Sequence, residues 1–301
     1  MTGNPRYHVR EDVQVTSPVL VVTLTGWIDA SQSAAGAIAA LEEQCHARTI
    51  VTFDRDTFID FRSRRPTMEI RDGHNSRLVW PDTELKVGQD ASGRDVLFLS
   101  GIEPDSCWMA FAEAVTELAV RYGVSQMVGL GAYPYNTPHT RPSRLSCTTP
   151  DVDLLPRLPF LQNSVDVPCG MEAVLEHALH DHSIPAYGLW VQVPHYVSAM
   201  SYPAASVALV EGLCQVTGLS ITCNGLRGEA LLQRTRLDDL VSKNEEHKTM
   251  VRQMEQVYDA HADDDFDDGG NGEAEAPYAG DDLGSGDDLV KEVEEFLRDQ
   301  G

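Results

Sequence analysis

VLVVTLTG, residues 19–26, followed by WIDAS (27–31) and QSAAGAIAALEEQC (32–45), decides how this chain reads. The first run is rich in β-branched residues and apolar on both sides of the pleat, the pattern of a strand covered on both faces. Gly26 and Trp27 break it, and Asp29 and Ser31 then offer two candidate helix N-caps. Ala35, Ile38, Ala39 and Leu41 continue an apolar stripe at helical spacing toward Cys45. A strand passing through a short turn into a helix is the first half of a βαβ crossover. Ligands and partners of open α/β sheets meet the chain at such turns, so GWIDAS is the first candidate site.

Outward from this unit the same alternation recurs. Strands are expected at TIVTF (49–53), DVLFL (95–99), QMVGLGA (126–132) and AYGLWVQV (186–193), with helices near 104–122, 170–182 and 203–216. Short strand-like pieces at 67–70, 77–80 and 84–87 suggest an antiparallel excursion, and a further strand is expected near 144–147. The expected fold class is α/β: a three-layer α/β/α body over residues 1–225 with a mostly parallel central sheet. Residues 226–258 read as a long, charged helical extension whose seam includes Leu231, Leu232, Leu237, Val241, Val251, Met254 and Val257. Residues 259–286 read as a disordered acidic linker. In 287–301, Leu289, Val290, Val293, Phe296 and Leu297 share one face of a short amphipathic helix and are the candidate partner-binding residues.

The 301 residues carry a formal charge of −24, and residues 259–301 alone hold 16 acids against 2 bases. The excess thus belongs mainly to the end of the chain, and its sign argues against nucleic acid as a partner. Six cysteines show no CxxC pair or zinc-like spacing, and no run has the length of a membrane span. A reduced, cytoplasmic setting without membrane association is expected.

The catalytic signals are sparse. Trp27, Asp29 and Ser31 in GWIDAS fit either a ligand edge or a plain helix cap. Arg62, Arg64 and Arg65 in FDRDTFIDFRSRRP (53–66) have the forked donors for a phosphate or carboxylate, yet the acids beside them favour an internal or intersubunit ion-pair network. SGIEPD (100–105) looks like an anion-receiving turn, but Glu103 and Asp105 would repel an anion there. GLGAYP (129–134) is a partial glycine motif, and Tyr133 opens the proline-rich loop that follows. His177, His180 and His182 are expected at a solvated helix end. No catalytic residue, metal or cofactor is assigned.

The ordered series GWIDAS, FDRDTFIDFRSRRP, FLSGIEPD, GLGAYPYNTPHTRP, VDVPCGMEAVLEHAL and YGLWVQVPHYVSAMSYPAAS resembles the proteasome assembly chaperone 2 family, in its actinobacterial branch. The resemblance spans roughly residues 13–219. It implies a nucleoside-phosphorylase-like α/β/α fold, self-association with a trimer as the leading expectation, and a non-enzymatic protein-binding or assembly role. Proteasome components or the proteasomal ATPase are the implied partners, with a nucleoside-like small molecule as the alternative ligand. Relatives that dock on proteasome rings carry a C-terminal hydrophobic-Tyr-any tripeptide, whereas this sequence closes on Asp299-Gln300-Gly301. Residues 286–301 instead resemble the acidic helix by which the prokaryotic ubiquitin-like protein engages its ATPase.

Overall fold

A computed structural model describes residues 6–264. In chain order the elements begin with β1 (Tyr7–Val9), β2 (Val19–Thr25), α1 (Ser33–Gln44), β3 (Arg48–Phe53) and α2 (Arg55–Phe58). β4 (Thr67–Arg71), β5 (His74–Val79), β6 (Thr83–Gln89), β7 (Asp95–Ile102) and α3 (Trp108–Arg121) follow. Then come β8 (Gln126–Tyr135), β9 (Leu145–Thr148), α4 (Met171–His180), β10 (Ala186–Pro194), α5 (Pro203–Thr217), α6 (Asn224–Ser242) and α7 (Glu245–Asp264). Residues 259–264 of the expected linker are instead the helical end of α7; the rest of it and the terminal helix, with Leu289, Val290, Val293, Phe296 and Leu297, lie outside the described residues.

Eight strands form one sheet in the order β1-β3-β6-β7-β2-β8-β10-β9. Residues alternate across β2. Val19 and Val21 face a core built with α1, α5 and parts of α6 and α7, while Leu20 and Val22 face a second core under α3 and α4. This double burial is what the apolar run 19–26 encodes.

The expected mostly parallel central sheet is corrected. β7, β2, β8 and β10 are mutually parallel, but the other four of the seven neighbouring pairs are antiparallel. The reason is connection length. Only residues 90–94 separate β6 from β7, room for a hairpin and far too short for a parallel crossover. The nucleoside-phosphorylase-like reading that went with a parallel sheet is not supported by this mixed one.

The charged extension is two helices rather than one. Asn244 Oδ1 accepts from Glu246 N at 2.9 Å and starts α7, the N-cap chemistry that interrupts the apolar period. Leu237, Val241, Val251 and Met254 are buried, but Leu231, Leu232 and Val257 of the expected seam are exposed. Among the described residues no helix is long and apolar enough to cross a membrane.

Candidate functional site

Three of the residues singled out in the sequence meet where β2 and β7 end. At Gly26 the backbone takes φ +137°, and a Cβ would lie 2.7 Å from the Arg64 guanidinium and 3.2 Å from Glu103 Cβ, so only glycine lets the chain turn here. Trp27 lies against Gly170, its Cδ1 3.0 Å from where a Cβ would stand. Glu103 is wedged between them, its N–H donating to Thr25 O at 2.9 Å. Its carboxylate accepts the N–H of Met171 at 2.5 Å. Glu103 therefore caps α4 from another strand, placing negative charge at the positive end of that helix.

Arg64 Nε donates to Asp105 Oδ1 at 2.8 Å, and Asp105 Oδ2 accepts from Asp60 N at 2.9 Å. Arg55 pairs with Asp82 at 2.8 Å. Two arginines of the charged segment, Arg55 and Arg64, thus find carboxylates that flank β6 and β7. Arg62 and Arg65 are exposed and make no ion pair among the described residues.

Asp29 and Ser31 hold the turn. The Asp29 carboxylate accepts from Ala34 N at 2.8 Å and Ala35 N at 3.0 Å, starting α1. Burial raises its pKa against the lowering effect of these bonds. Ser31, at φ 60°, donates from Oγ to Val197 O at 2.8 Å and from N to Ser198 O at 2.9 Å, fastening the turn to the chain after β10. Tyr133 lies apart from this group, its hydroxyl 3.2 Å from Gln192 Nε2 and 3.3 Å from Ser146 Oγ.

Two acids that the sequence reading passed over sit beneath the turn. Glu172 and Glu176, one helical turn apart on α4, point inward with Leu175 and Leu179. Glu172 Oε1 accepts from Leu24 N at 3.1 Å, while its buried Oε2 has no hydrogen-bond partner among the described residues. Burial, reinforced by Glu176, Asp29 and Glu103, raises its pKa well above the carboxylate range. Glu176 accepts from Thr148 Oγ1 at 3.0 Å, and burial pushes its pKa up to about 8. Glycines make the room: a Cβ at Gly129 would meet Glu172 Oε2 at 3.0 Å, and one at Gly188 would meet Glu176 Oε1 at 2.8 Å. A signal was present, since both acids fall on the apolar face of their helix. Their glycine partners became visible only with the strand order.

These carboxyls are closed in. Glu103 and Asp29 are occupied with helix N–H groups, and Glu172 and Glu176 are enclosed where burial favours their neutral form. No group of three or more His, Cys, Asp or Glu side chains among the described residues is placed to hold a metal ion.

On the other side of the strand ends, the loop after β8 is gripped by the terminal helices. Arg141 bonds Asp259 at 2.8 and 2.7 Å and Glu255 at 3.1 Å. Arg144 lies 4.1 Å over the Tyr258 ring. His139, buried, makes 2.6 Å and 3.2 Å contacts with Tyr196 Oη and Asp238 Oδ1.

Comparison with solved structures places this architecture among actinobacterial proteins. A protein of unknown function from Corynebacterium glutamicum superposes with a TM-score of 0.80 at 30% identity, covering 86% of this chain and 98% of that one. One from Mycobacterium tuberculosis gives 0.79 at 32% identity, covering 87% and 93%. A proteasome-assembly chaperone homologue from Mycobacterium tuberculosis gives 0.72 at 28% identity, covering 77% and 99%. No curated protein sequence matches. The PAC2 family model matches residues 23–241. With most of its length inside that match, and the strand ends and helices that build the turn at Gly26 included, the chain belongs to the PAC2 family.

Proposed function

We propose that this chain is a non-enzymatic, protein-binding assembly factor that self-associates, as a trimer, through its α/β body and acts in the cytoplasm on components of the proteasome. The observation that carries the reading is the fate of the polar groups at the strand ends. Where an α/β enzyme presents acids and donors to a ligand, Asp29 and Glu103 are bonded to helix N-termini and Glu172 is shut inside. The name of the Mycobacterium tuberculosis relative, a proteasome-assembly chaperone homologue, supports the choice of partner. The organisation proposed with it is a body over residues 1–225, a helical extension that runs on to Asp264, an acidic linker from there to 286 and a terminal partner-binding segment.

The test is light scattering on the purified full chain, alone and with purified proteasome α-subunits of its host. A mass three times 33.1 kDa, shifted to a larger defined species by α-subunits, supports the reading. A monomer that leaves the α-subunits unshifted overturns it.

A further inference from the structure

Residues 61–80 form an arm that the fold leaves without a core. Among the described residues β4 and β5 pair only with each other, and every residue from 70 to 80 is exposed. Phe61 braces its foot, edge-on to Trp80 at 4.9 Å. A two-stranded ribbon bare on both faces is marginal in water, so this one calls for a cover. Met68 and Leu78 are cross-strand partners; Ile70 follows Met68 by two residues across a register shift at Glu69/Ile70, and Trp80 stands just past the end of β5. Met68 and Ile70 are each 50% exposed. Arg62, Arg65, Arg71 and Arg77 sit on or beside the ribbon and make no ion pair among the described residues. Residues 61–80 hold five arginines against two acids, a positive arm on a chain of charge −24.

The complementary chemistry lies in the same sequence. Residues 265–301 hold 13 acids and 2 bases, and the acids Glu292, Glu294 and Glu295 are interleaved with Leu289, Val290, Val293, Phe296 and Leu297. The geometry allows them to meet. Thr83, which follows the arm, pairs with Gly101 at the C-terminal end of β7. Arg141 and Arg144 hold the last turns of α7 beside the start of β9, which is the same edge of the sheet. Five strand steps separate β6 from β9, about 24 Å at about 4.8 Å each. The 22 residues 265–286 reach up to about 70 Å, ample for that distance.

We propose that the acidic, apolar stretch 287–301 docks on the arm of its own chain. Its apolar residues cover Met68, Ile70, Leu78 and Trp80, and its acids face the arginines. At an effective concentration on the order of 1 mM, even a contact with a Kd of about 0.2 mM would slow amide exchange in the arm about six-fold.

The experiment is hydrogen exchange on the full chain at physiological salt, read on peptides covering 67–79. Three variants accompany the wild type: E292K/E294K/E295K, R62E/R65E/R77E, and the two combined. The expected result is slow exchange in the wild type, exchange about six-fold faster in each single set, recovery in the combined chain, and no dependence on protein concentration. Equal rates in the wild type and the tail variant would overturn the proposal, as would failure of the combined chain to recover. Protection that rises with concentration would also overturn it and assign the arm to a second copy. Light scattering on the same samples reports self-association of the body separately, so failure here leaves the assembly reading standing.

Discussion

Replacing Glu176 by glutamine should change how the protein responds to pH more than how it folds. Glu176 is nearly fully buried, and its pKa is about 8 in the folded chain against an ordinary 4.5. Between those two values the unfolded chain has lost this proton while the folded chain keeps it, so stability falls as pH rises. The contribution is fully present below about 4.5 and is gone above about 8. The slope is about 1.4 kcal/mol per pH unit, hence roughly 2.7 kcal/mol between pH 5.5 and 7.5. Glutamine cannot ionise and can still accept from Thr148 Oγ1. Relative to the wild type, Glu176→Gln should therefore gain about 2.7 kcal/mol over that interval, about 4 °C in Tm for a chain of this size. His139, whose pKa burial lowers, tilts the profile the other way in both proteins and cancels in the difference. The assay is thermal or urea unfolding at five pH values from 5.5 to 7.5. Parallel profiles for the two proteins would refute the claim that Glu176 is held as a neutral acid.

Other consequences are as direct. Gly131→Ala would place a Cβ 2.3 Å from the Trp190 ring, and should cost about 1–3 kcal/mol in urea unfolding, with partial recovery when Trp190→Leu is added. Asp29→Ala leaves the first N–H groups of α1 without their acceptor and should cost about 1–2 kcal/mol, with Asp29→Asn intermediate, read from denaturation midpoints. Arg141→Glu sets like charges against Glu255 and Asp259; hydrogen exchange should quicken in peptides covering 245–260 and stay unchanged in β2 and β8.

What the sequence could show was local. The double-sided apolar run at 19–26 and the stripe that follows it announce β2 and α1, and the alternation of strands and helices announces α/β. Strand direction was harder to read. The five residues between β6 and β7 were the clue to a hairpin, and the apolar run of β7 masked it by resembling a parallel strand. The charged segment gave up its ion pairs only in part, because Asp82 and Asp105, the partners of Arg55 and Arg64, arrive from distant strand ends. Trp27, Arg64 and Glu103 converge for the same reason: β2 and β7 are neighbours in space although α1 and the arm separate them in the chain. Glu172 and Glu176 were hidden by their charge. An acid on an apolar face reads as a solvated interruption until the glycine opposite it is known.

The central claim is that this chain assembles other proteins rather than transforming a small molecule. The most direct measurement is a native mass spectrometry time course of purified proteasome α-subunits associating with and without the full chain. The account predicts intermediates that contain this chain and complete rings that form sooner in its presence. Superimposable time courses, with no intermediate containing the chain, would contradict it.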